Sequence, residues 1–130
     1  MKLTLETDYA LRIIAVLAKT NGKLEAKSIA ERAEVTLRFS LKILRKLTKS
    51  GLVASFKGAY GGYILGKKPE EITVGDVIKV IEGDLSINRC CADSYFCKYT
   101  KDDACLFHDF FHEVSADLQK KLDSFNFGMI

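Results

Sequence analysis

The run CCADSYFCKYTKDDACLFH, from Cys90 to His108, holds all four cysteines of the chain and one of its two histidines. Thiolates and imidazoles bind soft and borderline metals, so this is where metal or redox chemistry is expected. The spacing is Cys90-x6-Cys97-x7-Cys105-x2-His108, with Cys91 beside Cys90. It lacks the Cys-x-x-Cys knuckle of zinc ribbons and ferredoxins. Composition and spacing therefore leave three readings open: an iron-sulfur cluster, zinc on three thiolates and one imidazole, or thiols that hold no metal. Adjacent residues rarely aim two side chains at one site, so Cys90 and Cys91 are not both expected as ligands. The ordinary role for the odd one is a small buried hydrophobe. The opening MKLTLETDYALRIIAVLA places Glu6, Asp8 and Arg12 inside its apolar pattern and offers no small-residue cleavage site. It reads as neither a signal peptide nor a membrane span, and the expected location is the cytoplasm, where structural disulfides are rare.

Other elements must position that run. With 130 residues, 48% of them hydrophobic, the chain is sized for one modest core with an extra arm. Thr4 to Asp8 suit a helix N-terminus, and Ala10, Leu11, Ile13, Ile14, Leu17 and Ala18 follow at helical spacing until Asn21-Gly22. A short second helix is expected over 28–34. Thr36 then caps a third helix that runs to Ser50 and stops at Gly51. On that third helix Leu37, Phe39, Leu41, Ile43, Leu44 and Leu47 are expected on the core side, while Arg38, Lys42, Arg45 and Lys49 fall within roughly 60° on the other. Val35 to Lys68 contain eight basic residues and no Asp or Glu. The whole chain is only +3, so the other residues sum to −5 and the basic charge is concentrated in one segment.

Two short helices, a tight turn and a helix with a basic outer stripe make a helix-turn-helix. Leu52 to Phe56 and Tyr63 to Leu65 follow as a β-hairpin with a glycine-rich tip, placed as a wing that reaches phosphates. A further helix starts at Thr73 or Gly75 and ends at Gly83. From Leu106 onward Phe107, Phe111, Val114, Leu118, Leu122 and Phe125 form a narrow apolar seam that wants a partner, either the first helix or a second copy.

The start MKLTLETDYALR, the run SLKILRKLTKSGLV, the wing KGAYGGYIL, the helix ITVGDVIKVIEG and the cysteine run resemble, in that order and over nearly the whole chain, the bacterial Rrf-two family of winged-helix regulators. The likeness is to its iron-sulfur-binding, IscR-like and NsrR-like members. It implies a mainly α fold in three parts: a winged helix-turn-helix DNA-binding domain with a small β-hairpin wing over 1–84, a cluster-binding loop over 85–105, and a long dimerisation helix with a tail over 106–130. The same resemblance implies a homodimer on palindromic double-stranded DNA, with no membrane role. Candidate DNA contacts are Arg38, Ser40, Lys42 and Arg45 on the third helix, and Lys57 and Tyr60 in the wing.

The resemblance also orders the ligands. Asn88-Arg89-Cys90 reproduces the family's context for the first ligand, so Cys90, Cys97 and Cys105 are expected to bind and Cys91 is the alternative. His108 matches the histidine fourth ligand of a 2Fe-2S cluster, the favoured form. Asp8 matches the aspartate that reaches a 4Fe-4S cluster from the other subunit. Where some members carry an operator-discriminating glutamate, this chain has Leu41, so that operator choice does not transfer. The expected function is a transcriptional regulator whose operator binding follows cluster status, sensing redox state, nitric oxide or cluster supply. The alternatives are a winged-helix regulator using thiol redox or zinc, and, third, an electron-transfer or cluster-carrier protein. Apart from the cysteine loop, no nucleophile, base and orienting group assemble in the sequence, so an enzyme is not expected.

Overall fold

A computed structural model of the chain describes residues 2–87 and 105–130. The described residues form five helices, α1 (Leu5–Ala18), α2 (Ala26–Ala33), α3 (Leu37–Ser50), α4 (Val74–Glu82) and α5 (Leu106–Asp123), of which α1 to α4 surround one core, with an antiparallel hairpin of β1 (Val53–Phe56) and β2 (Gly62–Leu65) after α3. Single 3-10 turns lie at Pro69–Glu71 and Phe127–Met129. No helix among the described residues is long and apolar enough to cross a membrane.

The helix starts follow the hydroxyl residues. Thr4 accepts from the Thr7 amide at 3.3 Å and Thr36 from the Phe39 amide at 3.2 Å. Thr73 and Asp76 form a reciprocal capping box, both bonds at 3.0 Å. α2 begins at Ala26, two residues earlier than the sequence suggests, behind a Glu25 that makes no side-chain cap. Apolar residues at helical spacing face inward: Ala10, Ile13, Ile14 and Leu17 of α1, Ile29 and Ala33 of α2, Ile43, Leu44 and Leu47 of α3, and Val77 of α4 all join the core.

The turn between α2 and α3 is a Schellman motif. The Val35 amide donates to the Ala30 carbonyl at 3.0 Å and the Glu34 amide to the Glu31 carbonyl at 3.3 Å. Its left-handed position, at φ 57°, is filled by Glu34, the one non-glycine residue with positive φ among those described. A side chain there costs about 1–2 kcal/mol, partly offset by the greater freedom of glycine in the unfolded chain. Glu34→Gly should therefore stabilise the fold by about 0.5–1 kcal/mol, read as a higher urea midpoint at unchanged slope.

The hairpin pairs Val53 with Leu65 through Phe56 with Gly62. Leu24 joins Tyr63 in an isolated bridge, through bonds of 3.1 and 2.8 Å, which fastens the hairpin to the α1–α2 connection. Gly62 is required at that junction: its φ is 151°, and an added Cβ would lie 2.8 Å from the Leu24 carbonyl oxygen.

Glu82 ties the end of α4 to the start of α1. Its Oε1 accepts from the Thr4 amide at 2.7 Å and the Thr7 hydroxyl at 2.9 Å. Chiefly through the Thr4 amide, and against a desolvation effect that raises it, the carboxyl is held below its usual pKa. This tie stabilises the fold above the ordinary carboxylate range and is lost as pH falls through the lowered value.

The segment after α5 departs from expectation. The spacing of the apolar seam predicts one helix reaching Phe125, and α5 ends at Asp123. Phe125 accepts a backbone bond from Val74 at 2.9 Å, Phe127 donates one to Ile72 at 3.0 Å, and the Phe127 ring is 4% exposed inside the winged-helix core. The residues following α5 thus pack with the domain that the sequence assigns to 1–84.

Candidate nucleic-acid interface and cysteine site

α3 is held by its inner side against α1, α2 and α4, which leaves its outer side to solvent. Arg38, Lys42, Arg45 and Lys49 are all exposed on that outer side, as the 100° rotation per residue requires. Leu37 and Leu41, expected in the core, are 45% and 41% exposed and share a concavity with Arg38, Lys42 and Arg45. Apolar side chains beside cations suit a major groove, where thymine methyls lie among hydrogen-bonding base edges. Ser40 must be withdrawn from the DNA-contact candidates. It is fully buried between α3 and its neighbours, and its hydroxyl has no hydrogen-bond partner among the described residues. Ser40 shares the inward arc of Ile43, Leu44 and Leu47, a position its polarity disguised in the sequence.

A groove of about 600 Å³ separates α3 from the hairpin, lined by Leu41, Arg45, Thr48, Lys49, Ser55, Lys57 and Tyr63. Arg45, Lys49 and Lys57 give it positive charge. Tyr60, at the hairpin tip, is 89% exposed. The expected contacts Arg38, Lys42, Arg45, Lys57 and Tyr60 are therefore all accessible, on α3 and the adjoining hairpin.

One residue beside this surface was missed in the sequence. Glu6, on the first turn of α1, places Oε1 2.7 Å from Lys46 Nζ and Oε2 3.9 Å from Lys42 Nζ. The pairs span about 40 positions, and no local pattern reports them.

Cys90, Cys91 and Cys97 lie outside the described residues. Cys105 is a free, half-buried thiol at the N-cap position of α5, where it makes no side-chain capping bond. His108 is one helical turn further on, and its Nδ1 lies 3.4 Å from Asp109 Oδ1. Its ring stacks on that of His112 at 6.0 Å between centroids and 28° between planes. Asp8, the alternative ligand, sits on α1 in an exposed ion pair with Arg12 at 2.8 Å. Among the described residues no three His, Cys, Asp or Glu side chains gather as a metal site.

α5 itself has no buried residue. Phe111, Val114 and Leu122 are half-buried, whereas Leu106, Phe107, Phe110 and Leu118 are exposed, Phe107 to 63%. The sequence-derived seam thus only partly covers itself against the rest of the chain.

Comparison with known proteins matches residues 3–130 to the family model Rrf2, described as an iron-dependent transcriptional regulator. The HTH-type transcriptional regulator IscR of Aliivibrio salmonicida is 33% identical over 98% of this chain and 76% of its own length. CymR of Bacillus subtilis is 41% identical over 66% of this chain, and that match spans 64% of the relative. Its solved structure, described as that of the global cysteine regulator, superposes with a TM-score of 0.78 at 30% identity, covering 98% of this chain and 94% of that one. A solved T. potens IscR gives the same score and identity, over 98% and 84%. These relatives are transcriptional regulators rather than enzymes.

Proposed function

From the premise that this chain belongs to the Rrf2 family of helix-turn-helix transcriptional regulators, we propose that it binds palindromic double-stranded DNA as a homodimer and that an iron-sulfur cluster controls the binding. The observation that carries the DNA half is the accessible basic stripe of α3 next to a positively charged groove. The exposed apolar residues of α5 support the dimer, since a second copy would cover them and supply the twofold axis of a palindrome.

Cys105 and His108 fit a cluster by their donor chemistry: a free soft thiol and an imidazole one turn apart, both at the start of α5. Amide dipoles at a helix N-terminus also favour the net negative charge that thiolate ligands bring. Cys90, Cys97 and Cys105 would hold the cluster with His108, as 2Fe-2S, and Cys91 would stay out of the site. His108 is preferred to Asp8 because it lies one turn from Cys105 at the start of α5, whereas Asp8 is on α1. A bound cluster would supply iron that reacts with oxidants and nitric oxide. Cys105 would carry its presence into α5, and α5 packs on α4, whose end is tied through Glu82 to the start of α1.

Anaerobic reconstitution with iron and sulfide analysis tests this. The wild-type chain should take up about two irons with matching sulfide, Cys105→Ser should lose nearly all of both, and His108→Ala should alter the absorption spectrum more than Asp8→Ala does. Four irons, with Asp8→Ala the damaging change, would favour the 4Fe-4S form. A second reading draws on the likeness to CymR of Staphylococcus aureus, which has been solved in an oxidized form: the thiols respond directly to oxidants, or hold zinc, while DNA is bound in the same way. A reconstituted chain that contains no sulfide yet whose DNA binding responds to thiol oxidation or zinc would establish that reading instead.

A further inference from the structure

We propose that Glu6 is an intramolecular competitor for DNA phosphates, a carboxylate that engages the lysines of α3 and so restrains sequence-independent binding. The inference rests on the DNA-binding reading above. Glu6 is only 20% exposed, and it reaches Lys46 at 2.7 Å and Lys42 at 3.9 Å. Lys42 is a member of the outward stripe, and Lys46 adjoins it half-buried on the same helix. The stretch 35–68 has no acid of its own, so the carboxylate that meets these lysines is delivered by another element.

That delivery is built in. The Glu82 bonds to the Thr4 amide and the Thr7 hydroxyl fix the turn of α1 that carries Glu6. The acid therefore meets α3 from a pinned helix start. A lysine already paired with a carboxylate displaces fewer counterions when it meets a phosphate, because part of its charge is already neutralised. The cost falls on phosphate contacts, which carry no sequence information, and spares Arg38 and Arg45, for which no ion pair to Glu6 is seen. Glu6 thus weakens the sequence-independent, phosphate-directed part of DNA binding.

The test is salt-dependent binding of the full chain to a random-sequence duplex, comparing wild type with Glu6→Gln, a near-isosteric change whose folding is checked by circular dichroism. Glu6→Gln should tighten binding several-fold near 0.1 M salt and steepen the log affinity against log salt plot by about 0.9–1.8. In a Lys42→Ala, Lys46→Ala background the same change should add nothing. An unchanged or shallower slope overturns the proposal. So does a gain that persists in full without the two lysines, which would mean that Glu6 acts by general repulsion of the duplex. A wild-type chain that binds no duplex at any salt sinks the DNA-binding reading itself and this inference with it.

Discussion

Phe127→Ala should destabilise the winged-helix domain by about 3–4 kcal/mol, a large share of the total for a chain of this size. The ring is 4% exposed and packs in the core with Ile72, and its backbone is tied to the same residue. Truncation removes the transfer free energy of the ring and leaves a cavity that the core can only partly fill. Urea unfolding followed by circular dichroism reads the change directly. Met129→Ala, at an exposed position in the same 3-10 turn, should stay within about 0.5 kcal/mol and serves as the control. A loss below about 1 kcal/mol for Phe127→Ala would mean that the residues after α5 do not belong to the core in solution. The consequence reaches function, because the chain after α5 is anchored in the same core that holds α3.

The second large effect falls on DNA. Arg38→Ala combined with Arg45→Ala removes two exposed guanidinium groups from the outward stripe of α3. Each contact of this kind is worth about 1–3 kcal/mol, so the pair should weaken binding roughly 10²-fold or more. If both arginines meet phosphates, the salt slope should fall by about 1.8; if they meet base edges, affinity should fall mainly for the preferred sequence. Titrations at several salt concentrations, on a duplex selected for tight binding and on a random one, separate these cases. Lys120→Ala, an exposed charge on α5, should change neither. Equal behaviour of the double variant and wild type would remove α3 from the interface.

Much of this layout was legible before folding. Thr4, Thr36 and Thr73 mark three helix starts because a hydroxyl must satisfy amides that have no partner within the helix. Gly51 and Gly83 mark two helix ends because both take positive φ. The basic stripe follows from the rotation per residue alone, and so does the hairpin after it from alternation and glycine. The cysteine run marks by residue type where metal or redox chemistry is expected, and its own fold lies largely outside the described residues.

The tertiary structure decided the rest. Helical periodicity gives the mean direction of an apolar stripe, but the edges of the buried arc are set by where neighbouring helices approach. Ser40 is therefore inside and Leu37 and Leu41 outside, against their polarity. Glu6 and Lys46, Glu82 and Thr4, and Phe127 and Ile72 meet across about 40 to 80 positions of chain. Nothing local in a sequence encodes such pairs, because they exist only once packing has brought separate helices side by side. The residue types thus marked most of the elements and the charge, while the long-range contacts decided which lysines of α3 meet Glu6 and where the end of the chain is anchored.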